Sequence, residues 1–229
     1  MRIMNRRILL WQTSTFLAWF LGITIGLTLG EVLSRNLNIL FYDKAGFLVG
    51  SLARNVFTGV TVGLLSGLFQ SPLILSTRLS PIRWILDNVL AFGIAFLLAE
   101  FLGFPVVRDI DYGMLLSFGF DLPPQWFPVA LDFGLANNTL GGPFSALIVG
   151  IMAGVILYLS LRKELTHPLM WILRFSIGPT FGLIIGMIPM FFSRELLVTA
   201  AVTGLSVGII QGVLISPDLV QNQYVAINT

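Results

Sequence analysis

The sequence predicts an all-α integral membrane protein whose six transmembrane helices form a single domain over residues 1–229. The first reason is composition: hydrophobic residues make up 56% of the chain and charged residues 10%, unlike a soluble domain. The second is a set of continuous apolar runs, each close to the ~20 residues that a helix needs to cross a bilayer. The third is the recurrence of small residues at every fourth position of these runs.

The apolar runs place the six helices along the chain. The predicted spans are 8–30, 56–76, 84–104, 141–161, 169–192 and 196–216. Apolar and polar residues do not alternate within these runs, so membrane-spanning strands are not expected. The first run follows a basic N-terminus, as in a signal peptide. It is longer than the apolar region of such a peptide and lacks a small-x-small cleavage site, so we interpret it as a span.

Two long segments connect spans on the predicted outer side. Residues 31–55 are predicted to form either an interfacial helix or an early start of the second span. Residues 105–140 contain several prolines among many aromatic residues, a composition too hydrophobic for free disorder. We therefore expect the second segment to be an ordered cap on the outer membrane surface.

Basic residues predict that both termini are cytoplasmic. With this orientation, eight Lys and Arg residues fall on the cytoplasmic side and five on the other, in line with the positive-inside rule. Trp11, Trp84 and Trp171 favour the same orientation. Each begins an outward-running helix, where an amphipathic indole ring prefers the headgroup level.

The same pattern begins three of the helices. Trp11, Trp84 and Trp171 are each followed seven residues later by alanine or glycine, and further small residues follow at steps of four. The returning helices share a small-residue pattern of their own. We interpret the chain as three tandem helical hairpins, which cover about 1–80, 81–167 and 168–229. Copies with one orientation predict a pseudo-threefold axis along the membrane normal; the alternative is a chance alignment of common glycine patterns.

Small residues are predicted to lie where helices touch. Lipid provides no hydrophobic drive between helices, so their association depends on close packing and interhelical hydrogen bonds. A missing side chain at every fourth position leaves a groove in which a neighbouring backbone fits. The predicted packing glycines are Gly22, Gly26, Gly63, Gly67, Gly150, Gly154, Gly182, Gly186, Gly204 and Gly208.

One stretch of the chain resembles a known group of proteins. Gly63, Gly67 and Gln70 form the pattern Gly-x-x-x-Gly-x-x-Gln, and the patterns Leu-x-x-Arg and Trp-Ile-Leu follow, ending at Leu86. This order is similar to that in repetitive bacterial membrane proteins that are frequent in cyanobacteria and have no assigned role. The resemblance covers residues 59–86 well and 204–215 in part. It implies a bacterial origin and supplies no function.

The strongest candidates for polar contacts are Gln70 and Gln211, which occupy equivalent places in two hairpins. A glutamine buried in a membrane usually forms an interhelical hydrogen bond. The functional alternative is a polar collar around a central cavity that binds or passes a solute.

Three ionisable residues lie within or near the predicted spans. Asp87 and Arg174 each follow the tryptophan of their helix by three residues, so they are predicted to lie at one depth and to pair. A structural ion pair and a proton or substrate relay are the two interpretations. Glu100 is the acid deepest within a span; it is either functional, or it reaches water or a basic residue such as Arg54.

No catalytic motif is evident, so the sequence predicts no enzyme, and with no cysteine and one histidine it predicts no cofactor or metal site. Two functions remain. The first is a solute-handling subunit, a small transporter or the substrate-binding part of a larger one, with a polar-lined intramembrane cavity. The alternative is a structural or assembly subunit that packs other membrane proteins through its glycine ridges. The predicted partners are the bilayer and other membrane proteins, not nucleic acid; the predicted location is a bacterial inner, plasma or thylakoid membrane.

Overall fold

A computed structural model describes residues 2–40, 44–74, 80–117, 143–162, 168–191 and 195–227. All regular structure in these ranges is helical. The α-helices are α1 (Arg2–Leu40), α2 (Lys44–Ile74), α3 (Pro81–Ser117), α4 (Pro143–Leu161), α5 (Pro168–Met187) and α6 (Leu196–Ile227). A short 3₁₀ helix, Ile188–Phe191, follows α5 directly.

Proline marks the start of three helices. Pro81, Pro143 and Pro168 are the first residues of α3, α4 and α5. Proline suits this position because its fixed φ angle matches the helix, and the amide hydrogen that it lacks would have no intrahelical partner there. In α3 the backbone N–H of Trp84 donates to the carbonyl of Ser80 at 2.9 Å, which closes the first turn.

The six helices pack in a closed ring. Each helix lies against its neighbours in sequence, and α6 packs back against α1. Neighbouring helices are antiparallel, as the contacts between α1 and α2 illustrate. Gly22 of α1 lies against Val62 of α2. One turn further along α1, Gly26 lies against Thr58, which is one turn before Val62 on α2. The order round the ring is therefore the order of the sequence.

Four of the helices are long and apolar enough to cross a membrane. Their candidate spans are Arg6–Leu37, Leu52–Ile74, Pro81–Glu100 and Leu196–Leu214. Within the described ranges, α4 and α5 contain shorter apolar segments, Ser145–Leu161 and Met170–Gly186. The protein is thus a helical, membrane-embedded chain.

The first three helices extend beyond their apolar runs. α1 has 39 residues and α2 has 31, so nearly all of the segment 31–55 belongs to the end of α1 and the start of α2. Of the two alternatives for this segment, the structure shows the early start of the second helix. α3 continues past residue 104 to Ser117, so the first part of the predicted cap is helical. The rest of the cap, residues 118–140, lies outside the described residues.

Aromatic side chains fill the interior of the ring. Trp19 of α1 meets Phe92 of α3 edge-on with ring centroids 5.4 Å apart, and Phe92 lies 6.1 Å from Phe175 of α5. These three helices are not neighbours in the ring, so their contacts cross its centre. We call Trp19, Phe92 and Phe175 the aromatic plug. All three side chains are fully buried, whereas most exposed large hydrophobic residues are leucine and isoleucine.

Trp11, Trp84 and Trp171, in the N-terminal parts of α1, α3 and α5, also point inward. Trp11 and Trp84 are 1% exposed and Trp171 is 3% exposed. The rings of Trp11 and Trp84 lie 6.3 Å apart, and Trp171 stacks on Phe175 at 6.0 Å. Packing inside the bundle therefore accounts for these rings without a preference for the headgroup level, and the orientation that the tryptophans were taken to favour stays a prediction. Their large apolar rings are needed to fill the wide space between alternate helices.

Candidate functional site

Glycine ridges bring neighbouring helices into backbone contact. A β-carbon built on Gly22 would lie 2.7 Å from Cα of Val62, and one built on Gly67 would lie 2.6 Å from Cα of Ile85. Because no real side chain approaches backbone so closely, only glycine fits at these positions. The predicted glycines face these neighbours: Gly22 and Gly26 face α2, Gly63 and Gly67 face α3, Gly150 and Gly154 face α5, Gly182 and Gly186 face α6, and Gly204 and Gly208 face α1.

Each of these ridges faces the next helix round the ring. In α3 the corresponding small residues are alanines, Ala91, Ala95 and Ala99, and all three are completely buried. The ridges are thus occupied by helices of the same chain, which leaves a bundle with close internal contacts and a leucine- and isoleucine-rich outer face.

Gln70 forms a hydrogen bond between two helices of one hairpin. Its side-chain Nε2 donates to Oγ1 of Thr15 on α1 at 3.0 Å, and both residues are buried. The other end of the amide, Oε1, is buried without a hydrogen-bond partner. Gln70 therefore links α1 to α2 and still has one acceptor to satisfy.

Gln211 occupies the comparable place in the last hairpin. It is buried, and its side chain packs against Gly178 of α5. Its Nε2 has no hydrogen-bond partner. Each glutamine thus contacts the first helix of its own hairpin, and a shared collar round the centre stays a prediction.

We expect replacement of Gln70 by methionine to destabilise the bundle by about 1 kcal/mol, the scale of an interhelical hydrogen bond in a membrane. Thr15→Val should cost a similar amount, and the double variant should cost little more than either. Unfolding of the purified protein in graded denaturing detergent measures all three. Strictly additive losses would show that the bond contributes nothing.

Glu100 lies in a polar contact between α3 and α2. Its side chain is 1% exposed, so it does not reach water, and its Oε2 accepts a hydrogen bond from Nδ2 of Asn55 at 2.6 Å. Arg54, the residue before Asn55 on α2, has its guanidinium 3.4 Å from the carboxylate of Glu31 on α1. The same carboxylate also pairs with Arg35 at 3.1 Å. Polar groups therefore connect α1, α2 and α3 at this end of the bundle.

Asp87 pairs within its own helix. Arg83, one turn earlier, lies 3.6 Å from its carboxylate, and the same guanidinium donates to the carbonyl of Ser160 on α4. Arg83 thus joins α3 to α4. Arg174 is partly buried on α5 beside Phe175, which touches Phe92 of α3. A pair between Asp87 and Arg174 stays a prediction.

Several buried polar residues were missed at the level of sequence. Thr15, Asn55 and Asn88 are completely buried. Thr15 and Asn88 are single polar residues within apolar runs, and Asn55 directly precedes the second predicted span. The sequence did indicate the burial of Asn88, because this residue follows Trp84 by four positions and therefore lies on the same face of the helix. Its Nδ2 donates to the carbonyl of Trp84 at 2.8 Å.

The polar groups are thus distributed over separate helix pairs: α1 with α2, α2 with α3, α3 with α4 and α5 with α6. In the part of the chain that the structure describes, no three His, Cys, Asp or Glu residues lie together as a metal site would require. No protein-family model, curated protein or solved structure matches the chain.

Proposed function

We propose that this chain is a structural subunit of a membrane assembly, a six-span bundle that does not conduct solutes. Three hairpins related by a pseudo-threefold axis, with both termini cytoplasmic, would account for the helix order and for the three inward-pointing tryptophans on alternate helices. Its proposed location is a bacterial inner, plasma or thylakoid membrane.

The observation that carries the proposal is the aromatic plug. A transporter needs a cavity that is open to one side near the middle of the membrane. Trp19, Phe92 and Phe175 instead lie in contact across the centre of the ring and are fully buried. A packed aromatic layer of this kind favours a scaffold over a solute path.

Partners would meet the outer face of the bundle. The glycine ridges already hold neighbouring helices of the same chain, so they are not free to bind another protein. The outward leucines and isoleucines, such as Leu86, Leu90 and Leu173, pack equally well against lipid or an apolar helix. Assembly through this face replaces the idea of assembly through the glycine ridges.

Solute handling is the second candidate, and one observation favours it. Oε1 of Gln70 and Nε2 of Gln211 are buried without hydrogen-bond partners, although a buried polar group is normally paired. Amides that keep one hydrogen-bonding end unused are suited to contact a polar solute.

Reconstitution into liposomes separates the two functions. We expect vesicles that contain the wild-type protein to show the same permeability to water, glycerol and small ions as empty vesicles, measured by stopped-flow light scattering and ion-sensitive dyes. Phe92→Ala with Phe175→Ala, which removes two plug rings, should increase the permeability. A saturable solute flux through the wild-type protein would exclude the scaffold proposal in favour of solute handling.

A further inference from the structure

Three indole N–H groups are buried without a hydrogen-bond partner. They belong to Trp11, Trp84 and Trp171, which lie in the N-terminal parts of the three alternate helices α1, α3 and α5. We call these three residues the indole layer. A buried tryptophan usually finds a partner for its N–H, and leaving a donor unpaired away from water is unfavourable. The same feature occurs on three helices, so it belongs to the architecture and not to one local misfit.

Acceptor oxygens lie at the same level of the bundle. Asn88 follows Trp84 by one helical turn, and the bond from its Nδ2 to the Trp84 carbonyl leaves Oδ1 buried and unpartnered. Thr15 follows Trp11 by one turn, and its hydroxyl accepts a hydrogen bond from Nε2 of Gln70. Oε1 of Gln70 is left buried without a hydrogen-bond partner. Since each amide nitrogen is already engaged, turning the amide over would only exchange one unsatisfied atom for another.

In the structure, the indole N–H groups and the amide oxygens form no direct hydrogen bonds with one another. The rings of Trp11 and Trp84 lie 6.3 Å apart, and indole N–H groups are donors only, so they cannot pair with one another. The aromatic plug bounds the layer on one side, since Trp19 and Phe92 lie about two turns further along α1 and α3.

We propose that the indole layer binds small uncharged molecules that both donate and accept hydrogen bonds. Water is one source of this chemistry, and a small hydroxyl- or amide-bearing solute is the other. Such a molecule accepts from an indole N–H and donates to Oε1 of Gln70 or Oδ1 of Asn88. This site shares Oε1 of Gln70 with the solute-handling alternative, so a bound solute would support that function, whereas bound water is compatible with a scaffold.

The unpartnered groups of the layer are of two kinds. Three are indole N–H donors and two are amide oxygens, which accept. A neutral molecule that both donates and accepts hydrogen bonds satisfies both kinds, whereas a simple cation or anion satisfies only one.

The test uses the full-length protein in lipid nanodiscs with ¹⁵N-labelled tryptophan. Single Trp→Phe variants assign the indole N–H signals. We expect the signals of Trp11, Trp84 and Trp171 to show magnetisation transfer with water or a shift on titration with glycerol or urea. Trp19 is the matched control, because it is equally buried but lies in the aromatic plug; its signal should show neither effect.

The two sources give different results. Water cross-peaks that do not change with glycerol or urea identify water, whereas shifts that saturate identify a solute. Gln70→Met should weaken either effect at Trp11 and leave the Trp19 signal in place, which also reports that the variant is folded. Three indole signals as protected and as unresponsive as that of Trp19 would overturn the proposal.

Discussion

Replacing Gly63 by valine is expected to destabilise the bundle by about 3 kcal/mol, at the upper end of the cost of overpacking a core. A β-carbon at this position would lie 2.8 Å from the carbonyl carbon of Asn88 and 2.8 Å from Cα of Val89. Both atoms are backbone, so α2 and α3 would have to move apart along their length. Unfolding in graded denaturing detergent, followed by tryptophan fluorescence, measures the loss.

Gly93→Val is the matched control. Gly93 is also a buried helical glycine, but the nearest atom to its added β-carbon is Cγ2 of Val60 at 3.2 Å, the tip of a side chain that can shift. Because this side chain can shift, we expect Gly93→Val to reduce the free energy of unfolding by less than about 1 kcal/mol. The change in intrinsic helix propensity is the same at Gly63 and Gly93, so the difference between the two losses reports packing. Equal losses at Gly63 and Gly93 would contradict the assignment of α2–α3 packing to the Gly63 ridge.

The second large effect is expected at the contact between Asn55 and Glu100. Asn55→Leu removes the donor that lies 2.6 Å from Oε2 of Glu100, and removing one partner of a buried hydrogen bond costs about 1–3 kcal/mol. We expect a loss of about 2 kcal/mol in the free energy of unfolding. The same detergent titration, with size-exclusion chromatography to monitor aggregation, measures it.

A double-mutant cycle separates this bond from a general packing defect. Glu100→Leu removes the acceptor, so Asn55→Leu should cost at least about 1 kcal/mol less in that background. Thr58→Val, on the same helix as Asn55 and bonded through its hydroxyl to the carbonyl of Arg54 one turn earlier, provides a polar-to-apolar control. If Asn55→Leu costs the same with or without the carboxylate, the bond does not stabilise the fold.

Helix content was predictable from local sequence, whereas helix ends were not. The apolar runs located the helices, because hydrophobicity is a property that each segment carries in its own residues. The ends of α1 and α3 extend beyond the predicted spans, to Leu40 and Ser117. An apolar run ends where the membrane ends, but a helix continues until its backbone hydrogen bonding is interrupted.

Side-chain partners were harder to predict than side-chain positions. The sequence marked Glu100 as unusual and offered water, Arg54, Arg108 or Arg194 as what it reaches. The structure places Asn55, which follows Arg54 on α2, against Oε2 of Glu100, and Arg54 also lies close to Glu31. Successive side chains on a helix point in directions that differ by about 100°. Which residue of α2 faces Glu100 therefore depends on how α2 and α3 pack.

The sequence by itself determined that this chain is helical and membrane-embedded, and it marked the positions where side chains are too small to separate two helices. Those properties follow from hydrophobicity and residue size, which each segment carries alone. Only the tertiary structure decided that Trp11, Trp84 and Trp171 point into the bundle and that aromatic rings fill its centre. An indole ring is stable either at a membrane surface or in a protein interior, and the closure of six helices into a ring, which no local pattern encodes, selects the interior.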